Sequence, residues 1–210
     1  GPSWVRIMNP CLEGTNASWC KVEVNVDDPK KIVKIIEQPR APPVTTMTLQ
    51  MKTVVNPKTH THELLAAATA TYPNVSIDGA TDTSKGKAHW FTAIRQLGTS
   101  AGPNYPARHP HDLKAVLKES KMSGVQTVPN ERALLSVLLN RIHTEDPDVL
   151  VSHNLFGFDF DVLVTRSVEH KLHHWSKLGR LRRTTPRLKG KTGAQRESYI
   201  AETGTGRILC

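Results

Sequence analysis

The sequence predicts an α/β layer fold with a mixed sheet flanked by helices, and three observations carry that prediction. Long β-branched runs fill the first hundred residues. Amphipathic helical periods follow from about residue 112. A short apolar stretch, "VLVSHN" from Val149, then interrupts the helical half as a buried strand between two helices.

The elements follow in chain order. "SWCKVEVNV" (18–26) alternates Val22, Val24 and Val26 with polar residues and predicts a strand. Asp28-Pro29 can cap a short helix over the following "KKIVKII", although an extended segment is equally allowed. "PRAPP" (39–43) predicts an extended linker and a boundary, with residues 1–40 as an end-piece and 41–210 as the main domain. "VTTMTLQMKTVV" (44–55) predicts the central strand. "ELLAAATATYP" (63–73) is rich in alanine and could be helical, but its place beside that strand favours a second strand. "AHWFTAIRQL" (88–97) predicts a third, with Gly- and Pro-rich loops before and after it.

The period then changes. "DLKAVLKESKMS" (112–123) places Leu113, Val116 and Leu117 on one helical face. A stronger helix follows: Asn130 caps it, Glu131 lies in its first turn, and Leu134, Leu135, Leu138 and Ile142 form its apolar stripe. Asp146-Pro147 ends it. After "VLVSHN", the segment "GFDFDVLVTRSVEH" (157–170) predicts a helix with Phe158, Val162 and Thr165 facing inward, and the terminal "GTGRILC" reads as a strand.

Charge narrows the function. The chain has 210 residues, 28 Lys and Arg against 19 Asp and Glu, and a net charge of +9, a balance that favours acidic partners, nucleic acid first among them. From Lys171 to Arg196 there is no acidic residue, while Lys177, Arg180, Arg182, Arg183, Arg187, Lys189 and Lys191 crowd together near Trp175. These seven are the candidate nucleic-acid-binding residues, with a solvated loop or a protein contact as the competing readings. No apolar stretch approaches the length of a membrane span, so no membrane partner is expected, and the start has no signal-peptide pattern. Cys11, Cys20 and Cys210 have no paired spacing and suggest a reduced intracellular protein. The pairs His60/His62, His109/His111 and His173/His174 lack the set of thiolate or carboxylate neighbours that a closed site needs and are expected to be solvated or capping rather than metal ligands.

One constellation points to a family. Asn154, three residues, then Phe158-Asp159 resembles the second exonuclease motif of B-family DNA polymerases, in which Asn-x-x-x-Phe-Asp opens a helix after a sheet strand. "TLQMKTV" (48–54) sits where that family's first motif, Asp-x-Glu on the central strand, belongs. "HWSKLGRLRR" (174–183) resembles a stretch found after the same helix in the branch that starts DNA chains on RNA primers. The resemblance implies an RNase H-like exonuclease domain, incomplete and truncated at its C-terminal end, preceded by an end-piece of the N-terminal domain. The third motif would then lie beyond Cys210.

Proofreading relatives use four carboxylates to hold two divalent metals. Here Gln50 and Lys52 stand at the first motif, and Asn154 and Asp159 at the second, so these four are vestigial positions and no catalytic or metal-binding residue is expected. A unit charge about 4 Å from another is worth about 4 kcal/mol at an effective dielectric of about 20. Lys52 near the site would oppose each divalent ion by roughly twice that. With the metals gone, Lys52 is expected to pair with Asp159, directly or through one water, with Gln50 nearby. Asp161 is expected to be solvated or a charge partner, and His153 a hydrogen-bonded residue at the strand end.

By the same resemblance the whole protein would be a DNA-directed DNA polymerase, a nuclear nucleotidyltransferase that extends RNA primers with deoxynucleotides. Its partners would be DNA, the RNA-primed template, primase and other polymerase subunits. Magnesium would belong to its polymerase domain, with no cofactor in this segment. Two alternatives remain open on the residues alone: an active metal-dependent 3′–5′ exonuclease with unusual ligands, and a free-standing basic nucleic-acid-binding module.

Overall fold

The computed structural model describes residues 4–11, 16–36, 40–79, 87–98, 108–119, 124–185 and 199–210. Three long strands form the frame: β3 (Val44–Val55), β4 (His62–Val75) and β5 (His89–Arg95), following the short β1 (Val5–Ile7) and β2 (Ile32–Lys34). The helical half contains α1 (Leu113–Glu119), β6 (Val125–Val128), α2 (Glu131–Glu145), β7 (Val149–Val151), α3 (Phe160–Glu169) and β8 (Ile208–Leu209). Six of these strands make one mixed sheet in the order β6-β5-β4-β3-β7-β8. β3, β4 and β5 run antiparallel to their neighbours among themselves, whereas β6, β7 and β8 add in parallel.

The central strand has the predicted bounds, 44–55. β4 is a strand despite its alanines because it is hydrogen-bonded on both sides, and its small residues Ala67 and Ala70 are 1% and 3% exposed. Pairing in a sheet centre here overrides helix propensity. β6 has no counterpart among the predicted strands; with four residues it shows no period of its own, and it is defined by its pairing with β5.

The predicted strand over 18–26 does not form. The segment makes only isolated bridges, Cys11 with Asn25 and Ser18 with Leu181, and Val22 is 73% exposed. Its alternation has no buried face to serve. The strand of this region is β2, which pairs with β1 and follows a single 3-10 turn, Pro29–Lys31, capped by the Asp28 side chain on Lys30 N at 2.9 Å.

The core lies between the sheet and α2 with α3. Leu134, Leu135, Leu138, Leu139 and Ile142 of α2 are fully buried against Met47, Leu64 and Ala93 of the sheet and against Phe160 and Leu163 of α3. Each such aliphatic side chain contributes about 1.5–3 kcal/mol on burial. Asn130 caps α2 by accepting from Ala133 N at 2.9 Å, and Asp146 closes it in the left-handed region at φ 44°. Leu172, Trp175 and Leu178 extend the same core past α3. Among the described residues, no helix is long and apolar enough to cross a membrane.

Candidate functional site

A cleft of about 650 Å³ opens where the middle of β3 meets the turn after β7. Met47 and Leu49 point into the core, 0% and 3% exposed, so Thr48, Gln50 and Lys52 take the opposite face of the strand. Thr48 and Gln50 line the cleft opposite Ala70 and Ala68 of β4, whose small side chains leave room above the sheet. Trp90 of β5, 68% exposed, forms one wall. Ser152, Asn154 and Asp159 form the other.

One turn of π-helix, Leu155–Asp159, places the second-motif residues. The amides of Phe158 and Asp159 both donate to Asn154 O at 3.0 Å. This wide turn carries Asp159 round to face Ser152, seven positions back, and such turns recur at functional sites. It also brings Asn154 over Gly157: a Cβ there would overlap Asn154 Oδ1, so the glycine permits the close approach. Phe158 packs edge-on to His62 with ring centroids 4.9 Å apart.

Asp159 is 9% exposed, and its Oδ2 accepts a short hydrogen bond from the Ser152 hydroxyl. A buried carboxylate is costly without such a donor. The structure therefore brings Gln50, Asn154 and Asp159 together in one cleft, as their motif positions predict. The direct Lys52–Asp159 pair is the correction. Lys52 is exposed, it does not line the cleft, and no Lys52–Asp159 ion pair within 4 Å occurs among the described residues. The lysine precedes a register irregularity at Lys52/Thr53, and solvating its flexible ammonium costs less than burying it beside a carboxylate already satisfied by a hydroxyl. Ser152, Gly157 and Trp90 had no signal in the motif itself; Ser152 could have been suspected as the first polar residue after the apolar strand.

Magnesium needs near-octahedral oxygen ligands, usually with more than one carboxylate or phosphate among them. Among the described residues the cleft offers one carboxylate, Asp159, with Gln50 also in its lining, and that donor set does not fit the two-metal chemistry of proofreading relatives. Among the described residues, no group of three or more His, Cys, Asp or Glu could hold a metal ion.

Three of the four described candidate cations of the basic stretch are engaged within the fold. Arg180 Nε reaches Asp146 Oδ1 at 3.0 Å, and its Nη2 reaches Asp148 Oδ1 at 2.8 Å. The buried Arg207 joins the same Asp146 oxygen at 2.9 Å. Burial alone would raise the Asp146 carboxyl, but the two arginines outweigh it and hold it below the ordinary carboxylate range. The other end of Asp148 accepts from Thr45 N at 2.8 Å, so the network ties β3, the end of α2 and the basic stretch together.

Lys177 donates to Asn140 Oδ1 at 3.0 Å. Arg182 donates to Ser18 O at 2.6 Å and stacks over Trp19 at 4.4 Å. Trp19 itself donates from Nε1 to Ser176 Oγ at 3.1 Å, and its amide bonds Arg180 O at 2.7 Å. The region after α3 is thus the seat of the N-terminal segment. Arg183 is partly exposed, 3.8 Å from Glu202. Arg187, Lys189 and Lys191 lie outside the described residues.

The strand order, the mixed layering and the Asn154–Asp159 turn at the end of β7 define an RNase H-like exonuclease domain. Residues 1–210 match the family described as DNA polymerase family B, exonuclease domain, and the chain belongs to that family. Within it, the chain is 37% identical over 212 residues to the DNA polymerase alpha catalytic subunit of Xenopus laevis, covering 100% of this chain and 14% of that protein. It is 32% identical to the mouse subunit of the same name and 35% identical to that of Oryza sativa subsp. japonica, in each case over 100% of this chain. The chain spans 13% of the mouse protein and 14% of the rice protein.

Proposed function

We propose that this chain is the exonuclease-like domain of a DNA polymerase alpha catalytic subunit and that it does not proofread. In this reading the whole protein is a nuclear enzyme that extends RNA primers with deoxynucleotides, alongside primase and other subunits, with magnesium held in its polymerase domain. The domain serves as a scaffold beside the nucleic acid. The observation that supports the loss of proofreading is the cleft itself: Gln50 stands at the first-motif position, and Asp159, the one carboxylate lining the cleft among the described residues, already accepts from Ser152. The nucleic-acid-facing part of the reading rests on the charge of the acid-free stretch Lys177, Arg180, Arg182, Arg183, Arg187, Lys189 and Lys191, and chiefly on its last four cations, since the first three are engaged within the fold.

The test is degradation of 5′-labelled single-stranded DNA by the chain with magnesium or manganese. The expected outcome is no end-dependent shortening above a metal-free control, with Asp159→Asn behaving as the parent. Shortening that magnesium stimulates and Asp159→Asn abolishes would refute the proposal.

A further inference from the structure

A second cleft, of about 440 Å³, opens at the far end of α3 and shares no lining residue with the first. Val168, Leu172 and Trp175 line it as apolar groups, and the last two are 5% and 4% exposed. Lys171, Arg182 and Arg183 also line it, and no carboxylate does so among the described residues. Arg183 Nε is buried there without a hydrogen-bond partner, and its Nη1 stands 3.8 Å from Glu202, outside hydrogen-bond range. A buried donor left unmade is unfavourable, and a guanidinium fork is shaped for a carboxylate.

Single-stranded nucleic acid binds through cations combined with open aromatic faces on which bases stack. Neither tryptophan here provides that face. Trp175 is buried, and Trp19 already carries the Arg182 guanidinium at 4.4 Å, the Lys177 ammonium at 5.3 Å and the edge of His143 at 5.9 Å. An apolar floor beneath a basic rim instead suits a chain that offers both an apolar side chain and carboxylates.

We infer that this cleft docks an acidic peptide segment of a partner protein. One apolar side chain sits on Val168, Leu172 and Trp175, while flanking carboxylates pair with Lys171 and Arg183; Arg182 is held by Ser18 O and the Trp19 ring and adds only its positive field to the rim. The charge complementarity is local, since Arg180 and Lys177 of the same stretch are engaged by Asp146, Asp148 and Asn140.

The experiment uses the natural full-length protein and a short fluorescent peptide in which one phenylalanine is flanked by aspartates and glutamates, read by anisotropy. Two variants leave the core untouched: Lys171→Glu reverses a rim charge, and Thr184→Trp fills the cleft from an exposed position on its wall. Each is expected to weaken the peptide at least about tenfold without changing the thermal midpoint. Replacing the peptide's phenylalanine by alanine should weaken it comparably. Undiminished affinity in both protein variants would overturn the proposal, as would the absence of measurable binding by the parent. A single-stranded oligonucleotide that competes for the cleft, with its own affinity lost in both variants, would overturn it in favour of a nucleic-acid site.

Discussion

Replacing Glu131 by glutamine tests the frame that holds α3, and with it Asp159, against the sheet. Glu131 is 3% exposed at the first turn of α2. Its Oε1 accepts from Leu64 N at 2.6 Å and Arg166 Nε at 3.0 Å, and its Oε2 accepts from His170 Nε2 at 2.8 Å and, through a short bond, from Arg166 Nη2. The amide would keep one acceptor oxygen and turn its NH2 toward donors. Arg166, 8% exposed, would retain Glu169, whose side chain is 43% exposed, and Glu63 at 3.9 Å. Removing one member of a buried pair in this way costs about 3–5 kcal/mol, a large part of the stability of a domain of this size. Urea unfolding at pH 7 should show a lowered midpoint with an unchanged slope.

The pH dependence has a definite sign. Burial pushes the Glu131 carboxyl up, but hydrogen bonds from Arg166 and His170 outweigh it and leave it below its ordinary value of 4.5. A depressed carboxyl stabilises the fold above its unfolded value and loses that contribution as pH falls through its folded value. The gap between parent and Glu131→Gln should therefore be full at pH 7 and shrink below 4.5. A difference under about 1 kcal/mol at pH 7, or one that widens on acidification, would refute the reasoning.

Three further outcomes are expected. Gly157→Ala should cost about 1–3 kcal/mol, because the new Cβ overlaps Asn154 Oδ1, and adding Asn154→Gly should recover part of the loss in a double-mutant cycle. Arg180→Ala should cost about 1–2 kcal/mol after allowance for its partial exposure, seen as a fall of roughly 2–8 °C in Tm; an unchanged Tm would mean that Asp146 is held well enough by Arg207. Replacing Arg187, Lys189 and Lys191 with alanine should weaken duplex binding and flatten its log-salt slope by about 0.9 for each phosphate no longer neutralised, and an unaltered slope would remove nucleic acid from the role of that stretch.

What the sequence revealed was what local pattern can carry. β3 alternates within itself, α2 has its cap and stripe within one window, and the Asn154–Asp159 turn is written in consecutive residues. What stayed hidden depends on partners far along the chain. The acids that engage Arg180 lie 34 and 32 positions earlier, so a run without acids gives no local sign of them. Glu131 looked like an ordinary first-turn acid because Arg166 and His170 arrive 35 and 39 positions later. The alternation over 18–26 misled for the converse reason: its period is real, but the segment lies on the surface and its anchor is Trp19.

Under the proposed reading, the same geometry lets a proofreading site be lost while the fold is kept. Gln50 and Lys52 are exposed on the face of β3 opposite Met47 and Leu49, so residue identity at 50 and 52 contributes little to the core. Asp159 is different, since it is buried and needs a donor. Ser152 supplies that donor from within the chain, so Asp159 is satisfied without a cation. Ser152→Ala should therefore disturb the site more than Lys52→Ala. The first strands a buried carboxylate, at a cost of about 1–3 kcal/mol, whereas the second removes an exposed charge and should stay within about 0.5 kcal/mol. Chemical denaturation of the two variants decides the matter: a larger loss from Lys52→Ala would mean that the lysine, and not the hydroxyl, balances Asp159.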